Sequence, residues 1–246
     1  GTSNLRLGVN AGNSIASGGN YNVVLGDEAG TALTTGDNNV AVGFEALKTE
    51  DANGFNTAVG YRALKALDGG QDTFNTAFGA NAGLSISTGA YNAIFGGNAG
   101  DALTVGSSNV AVGVAALAAD TKGSKSVAIG NGALNLQNFT TATNTYNVAV
   151  GDQTGAAITT AIRNTLIGGL VGDALTEGAR NTAVGYAVLS GDTLGSRNVG
   201  IGYEVLGSQN FTTATDSYNT AVGYAAGNAV TTGVQNTIIG ALAGDA

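Results

Sequence analysis

A five-residue phrase, Asn147-Val148-Ala149-Val150-Gly151 in one copy, returns along the chain at a nearly fixed interval. That interval restricts the fold more than any other property of the sequence. Versions of the phrase start at Asn4, Asn22, Asn39, Asn56, Asn75, Asn92, Asn109, Ser126, Asn147, Asn164, Asn181, Asn198, Asn219 and Asn236, each reading Asn, Thr or aliphatic, small, large apolar, Gly. Only Ser126 replaces the leading Asn. The commonest spacing is 17 residues, with insertions at a few joints. A short fixed period of this kind predicts a solenoid, in which each repeat covers the next and the core runs in one dimension. With 41 Gly, no Pro, no Trp and 15 aromatics in 246 residues, a conventional globular core is poorly supplied.

The glycine density and β-branched content exclude helix and predict a parallel strand in each phrase, about 4.8 Å from its copy in the next turn. The expected fold is therefore an all-β parallel β-solenoid, a β-roll of about 14 turns of 17 residues. Period-2 alternation places the second and fourth positions of the phrase on one face and the third on the other. Because the fourth position carries the large apolar residues, among them Leu7, Phe78, Val150 and Ile167, that face is expected inward. The third position is expected outward, with Ala in most turns and Val24, Ile94, Leu166 and Ile238 as bulkier contacts for a neighbouring chain. The leading Asn is expected to hydrogen-bond along the stack. Glycines fourteen residues after it, such as Gly36, Gly89, Gly106 and Gly178, are expected at corners that need positive φ.

Eight residues after the anchor the chain alternates two Gly with two Leu: Gly12, Gly30, Leu47, Leu64, Gly83, Gly100, Leu117, Leu134 and onward. Three residues further on, Gly turns carry an aliphatic such as Ile86 or Leu103, whereas most Leu turns carry Glu50, Asp120, Gln137, Asp192 or Gln209. One aliphatic group per turn is thus kept, entering from alternate corners as constant core density requires. Insertions follow turns four, eight and twelve, so residues 1–246 read as one array of four-turn super-repeats starting near 4, 75, 147 and 219, and as a segment of a longer chain. Two inserts are nearly identical, Asn138-Phe139-Thr140-Thr141-Ala142-Thr143 and Asn210-Phe211-Thr212-Thr213-Ala214-Thr215. Phe139, Tyr146, Phe211 and Tyr218 in or beside them are candidate contact residues.

The chain has no His and no Cys, which removes the usual nucleophile–base pairs and the imidazole and thiolate metal sites. No catalytic residue, no cofactor and no metal site is expected. The acids between Asp68 and Asp72 offer oxygen ligands for calcium, but a tandem calcium-binding repeat would show the same acids in many turns. Glu50-Asp51 reads as a pair of solvated corner charges. A net charge of −8 with 9 Lys+Arg argues against nucleic acid, and the absence of an apolar run near about 18 residues argues against membrane insertion. Arg163, Arg180 and Arg197 precede consecutive anchors and stack three like charges on one edge, with Asp173, Glu177 and Asp192 as expected partners. Aromatics precede other anchors (Tyr21, Phe55, Phe74, Tyr91) or follow the anchor Gly (Phe44, Tyr61, Tyr186, Tyr203, Tyr224). Such rings could stack on sugars, but cover of the edge or contact with a neighbouring chain is the preferred reading.

Asn181-Thr182-Ala183-Val184-Gly185-Tyr186 and Ser126-Val127-Ala128-Ile129-Gly130 resemble the YadA-like head repeats of trimeric autotransporter adhesins and the NTAVGY-type repeats of bacteriophage tail fibres. The resemblance covers all fourteen turns. It implies a left-handed β-roll that trimerises, although the general crossover rule favours the other hand. The expected function is a non-enzymatic extracellular, cell-surface or virion fibre or adhesin segment, giving a rigid shaft and surface contact. Its expected partners are itself, as a homotrimer or filament, and a cell-surface glycan or receptor. The alternative is a self-assembling structural filament or matrix protein without its own receptor.

Overall fold

The computed structural model describes residues 2–245 and is all-β, with no helix among the described residues. It is a parallel β-solenoid of about fourteen turns, and each turn joins a short strand, a run of tight turns and a return stretch. The chain divides into two compact units, Gly1–Ser124 with Thr140–Thr143, and Lys125–Phe139 with Asn144–Ala246. In the first, strands Leu5–Leu7, Val23–Leu25, Val40–Val42, Thr57–Val59, Thr76–Phe78, Ala93–Phe95 and Val110–Val112 pair in parallel, each with its sequence neighbours. In the second, Val127–Ile129, Val148–Val150, Thr165–Ile167, Thr182–Tyr186, Val199–Tyr203, Thr220–Tyr224 and Thr237–Ile239 do the same. Every register matches phrase to phrase, so Leu5 lies opposite Val23 and Val148 opposite Thr165.

The alternation along the strand is as the sequence predicts, but its phase is inverted. The third position is the buried one: Val24, Ala41, Ala58, Ala77, Ile94, Ala111, Ala128, Ala149, Leu166, Ala183 and Ala221 are fully buried. The fourth position faces out, and Phe78, Phe95, Ile129, Ile167 and Ile201 are exposed. The reason is the narrow interior of a 17-residue turn. It already holds one Leu or Ile per turn, for example Leu33, Leu47, Leu64, Ile86 and Leu103, all fully buried, together with a small residue seven positions after the anchor, such as Ala29, Ala46 or Ala63. Little volume is left for the strand, and Ala fits it.

The bulky third positions follow from the same limit. A Cβ placed on Gly30 would lie 3.2 Å from Val24 Cγ1 and 2.8 Å from Leu33 Cδ1; on Gly100 it would lie 3.2 Å from Ile94 Cδ1, and on Gly172 3.2 Å from Leu166 Cδ1. Val24, Ile94 and Leu166 therefore fill space that a side chain eight residues after the anchor would otherwise occupy. In the first Gly turn of the second and later pairs the Leu of the preceding turn does this: Leu64 Cδ2 would meet a Cβ on Gly83 at 2.9 Å, and Leu134 Cδ2 one on Gly155 at 3.1 Å. The two-Gly, two-Leu rhythm is thus a packing period of the interior. Each Leu eight residues after an anchor, among them Leu47 (φ 50), Leu117 (φ 54) and Leu206 (φ 51), is held in the left-handed region. That strain costs on the order of 1 kcal/mol and is offset by burial of the side chain, roughly 1.5–3 kcal/mol.

The anchor Asn is structural, and it is buried in every turn but the first and the last, where Asn4 and Asn236 are half-buried. Asn164 Oδ1 accepts from the backbone N–H of Asn181 (2.8 Å), and Asn164 Nδ2 donates to the carbonyl of Gly178 (2.9 Å); Asn22 makes the same pair of bonds with Asn39 N–H and Gly36 O, both 2.8 Å. Most of these amides therefore bridge to backbone rather than to one another. Of the glycines fourteen residues after the anchor, Gly18 has the positive φ expected of the position (φ 119), but Gly36, Gly89, Gly106 and Gly178 do not adopt one and are explained by close contact with the next turn instead. A Cβ on any of these four would run into the carbonyl oxygen of the residue beneath it in the next turn. In turns lengthened by an insert, Gln137 and Gln209 turn inward and accept from Asn147 Nδ2 and Asn219 Nδ2, each at 2.8 Å.

Candidate functional site

The inverted phase leaves second and fourth positions of the phrase on the surface of each unit. In the second unit these are Val127, Val148, Thr165, Thr182, Val199, Thr220 and Thr237, and Ile129, Val150, Ile167, Val184, Ile201, Val222 and Ile239. None is charged. Ile167 and Ile201 are about two-fifths exposed, at 39% and 41%. A row of β-branched side chains on a parallel sheet is well suited to pack against another surface and ill suited to water.

Aromatic columns lie next to this face in sequence. Tyr186, Tyr203 and Tyr224 follow the anchor glycines and stack with ring centroids 5.4 and 5.3 Å apart; Phe44 and Tyr61 stack at 5.6 Å. Phe55, Phe74 and Tyr91 precede anchors and stack at 5.0 and 5.7 Å. The residue before the anchor adopts left-handed φ whatever its type, as at Phe55 (φ 63), Lys125 (φ 64), Tyr146 (φ 53) and Arg180 (φ 59). Sequence reasoning missed this, because Gly and Asn, the usual markers of such a turn, are mostly absent from the position.

The expected contact residues separate into three groups. Val24, Ile94 and Leu166 are interior and unavailable to a neighbour, and Ile238 is partly buried. Phe139 and Phe211 are buried as well, at 6% exposure each, and plug their inserts. The backbone N–H of Phe211 donates to Asp192 Oδ1 at 3.3 Å, and its carbonyl accepts from the Thr193 hydroxyl at 2.9 Å. Residues Thr215–Asp216 of the same insert pair in parallel with Gly195–Ser196. Tyr146 and Tyr218 remain exposed, with Lys125 Nζ 5.2 Å from the first ring and the Arg197 guanidinium 5.4 Å from the second.

The arginine edge is resolved differently from expectation. Arg197 Nε pairs with Asp216 Oδ1 at 2.9 Å, an acid of the insert, whereas Asp192 is buried and accepts from Gly195 N–H and from Gln209 Nε2. Arg163 and Arg180 make no ion pair among the described residues.

Two acidic arrangements stand out in the first unit. Glu45, little exposed, accepts from Lys48, Arg62 and Lys65, each at 2.8 Å. Hydrogen bonds from Lys48, then Lys65 and Arg62, hold its carboxyl down to about 2. A lowered carboxylate stabilises the fold above its ordinary value of 4.5, and this contribution disappears as pH falls through about 2. Glu45→Gln is expected to lower the melting temperature by about 2–4 °C at pH 7. In melts taken from pH 7 to pH 2, the loss of stability below about 4.5 should be shallower in the variant. The second arrangement joins Glu50, Asp51 and Asp68, one carboxylate oxygen of each lying within 4.8 Å of the others. Burial pushes the Glu50 carboxyl up against the lowering effect of its Asn53 hydrogen bonds, and the Asp68 and Asp51 charges add to the rise. The pair expected as solvated corner charges is therefore split, with Glu50 buried and Asp51 exposed.

Comparison of the chain with protein families, with curated proteins and with solved structures finds no match. No pocket opens among the described residues. The surface features are the apolar sheet face, the aromatic columns beside it, the inserts and these acidic clusters.

Proposed function

We propose that the chain is a shaft segment of an extracellular, cell-surface or virion fibre or adhesin, without enzymatic activity, in which copies pack side by side along the outward strand face. The observation that carries this reading is the uncharged row of second and fourth phrase positions, where Ile129, Ile167 and Ile201 are left in water by a single chain. Burying such residues in a homomeric interface gives roughly 25 cal/mol for each Å² of apolar surface removed from water. Three copies and a left-handed roll are proposed from the resemblance to adhesin heads and tail-fibre repeats alone. Surface contact with a glycan or receptor is assigned to the exposed ring columns, Tyr186, Tyr203 and Tyr224 among them, which lie beside the strands.

Sedimentation equilibrium at micromolar concentration tests the proposal. The expected mass is three times the 24.0 kDa of one chain. The paired substitution Ile167→Lys and Val184→Lys should reduce it to that of one chain while β-sheet circular dichroism is retained. A wild-type chain that sediments as a monomer refutes the packing proposal.

A further inference from the structure

Within each unit the residue twelve positions after an anchor falls on a column along the return stretch of the turns. Over most of the chain it is Thr, Ser or Asn: Thr34, Ser87, Thr104, Thr121, Asn138, Thr159, Thr176, Thr193, Asn210 and Thr231. Thr34, Ser87, Thr104, Thr159 and Thr176 each use the hydroxyl to donate to a backbone carbonyl of the following turn. In two consecutive turns the column changes to Asp51 and Asp68, which places like charges on neighbouring rungs of the stack. Juxtaposed like charges are destabilising unless something of opposite sign lies between them.

A third carboxylate stands beside these two. Glu50 is fully buried; its Oε1 accepts from the backbone and side-chain amides of Asn53 at 3.1 and 2.6 Å, and its Oε2 has no hydrogen-bond partner. A buried carboxylate oxygen without a partner is costly enough to need a cause. No ion pair among the described residues involves Glu50, Asp51 or Asp68, and the nearby Lys48 and Lys65 are held by Glu45. The cluster also follows the third turn and meets the start of the insert of the fourth, where the backbone of Gly54 donates to Asp72 Oδ1 at 2.8 Å.

We propose that Glu50, Asp51 and Asp68 bind one calcium ion that ties the return stretch of the third turn to the insert of the fourth. The chemistry favours this ion. All the donors are hard carboxylate oxygens, a set that suits calcium, magnesium or manganese better than the softer zinc or copper. Two oxygens on one calcium, at about 2.3–2.6 Å each, stand no more than about 5 Å apart, and one carboxylate oxygen from each of the three residues lies within 4.8 Å of the other two. Exposure of Asp51 and Asp68 leaves room for water to complete the 6–8 ligands calcium takes, whereas magnesium demands a tighter octahedron. This inference goes beyond the fibre reading and does not depend on assembly.

Isothermal titration of the EDTA-treated, extensively dialysed chain with calcium chloride tests it, with magnesium chloride as the second titrant. One calcium per chain is expected, with a dissociation constant on the order of 10⁻⁴ to 10⁻³ M, and weaker binding of magnesium. Asp51→Asn and Asp68→Asn change only exposed side chains and should fold; each should weaken calcium at least about tenfold, the loss of one charged ligand. Glu50→Gln, which keeps an acceptor for Asn53, should do the same. Absence of calcium binding in the wild type, or binding unchanged in both Asp variants, overturns the proposal. Magnesium bound as tightly as calcium overturns the choice of ion.

Discussion

Leu166→Asp is expected to unfold the middle of the second unit, at a cost of about 4 kcal/mol or more, from loss of a buried aliphatic group and burial of an unpaired carboxylate. Leu166 is fully buried between successive turns, and a Cβ on Gly155 or Gly172 would lie 3.1 or 3.2 Å from its Cδ1. The neighbouring substitution Ile167→Asp falls on the outward face and should leave β-sheet circular dichroism intact, with its effect confined to assembly. Thermal melts of the two variants in parallel check this. The contrast between adjacent residues matters more than either value, because the two share one strand, one register and nearly one composition. A similar loss of folded signal in both would mean that the sheet has no free face.

The second large effect belongs to the anchor. Asn164→Leu keeps the size of the side chain but strands two buried backbone groups, the N–H of Asn181 and the carbonyl of Gly178, which Asn164 satisfies at 2.8 and 2.9 Å. It also leaves Asn147 in place beneath, with its Oδ1 still accepting from the backbone N–H of residue 164, so the damage is one rung deep. At about 1–3 kcal/mol for each buried group left unpaired, the expected loss is about 2–5 kcal/mol. In a solenoid each turn is stabilised by its neighbours, so the loss should appear first as local opening. Hydrogen exchange followed by mass spectrometry should show the amides from 164 to 181 exchanging faster, with the turns around Asn219 little changed. Uniform protection in the variant would show that the amide bridge contributes nothing.

Much of the architecture was legible in the phrase itself. The interval from Asn147 to Asn164 fixes the turn length, the five-residue copy fixes the register of Val148 on Thr165, and the exchange of Leu47 for Leu33 between corners survives in the interior. The phase of the strand was not legible, because side-chain size is a poor guide when the interior is only one side chain deep. Val150 looks like core and Ala149 like surface until Leu134 and Ile158 are known to occupy the same cross-section. The four-turn rhythm was visible as well, but its cause was misplaced. Val24, Ile94 and Leu166 mark where the interior has room, and no outside partner with that repeat is needed to explain them. The acidic cluster was hidden for a different reason. Asp51 and Asp68 are 17 residues apart and look unrelated in the sequence until they are placed on the same column, and Glu50 faces away from solvent although its neighbour does not.

Because the chain contains no Cys, one measurement addresses the inverted phase directly: the reaction rate of a single thiol introduced by Leu166→Cys or by Ile167→Cys. Leu166 is fully buried and Ile167 is 39% exposed, so the two variants sample opposite faces of one strand. The Ile167→Cys thiol should react with maleimide in the folded protein, or oxidise to an inter-chain disulfide where copies pack against it. The Leu166→Cys thiol should do neither until the turn opens, its rate reduced about tenfold for every 1.4 kcal/mol of opening free energy. Rapid labelling of Leu166→Cys beside a protected Ile167→Cys would contradict the account.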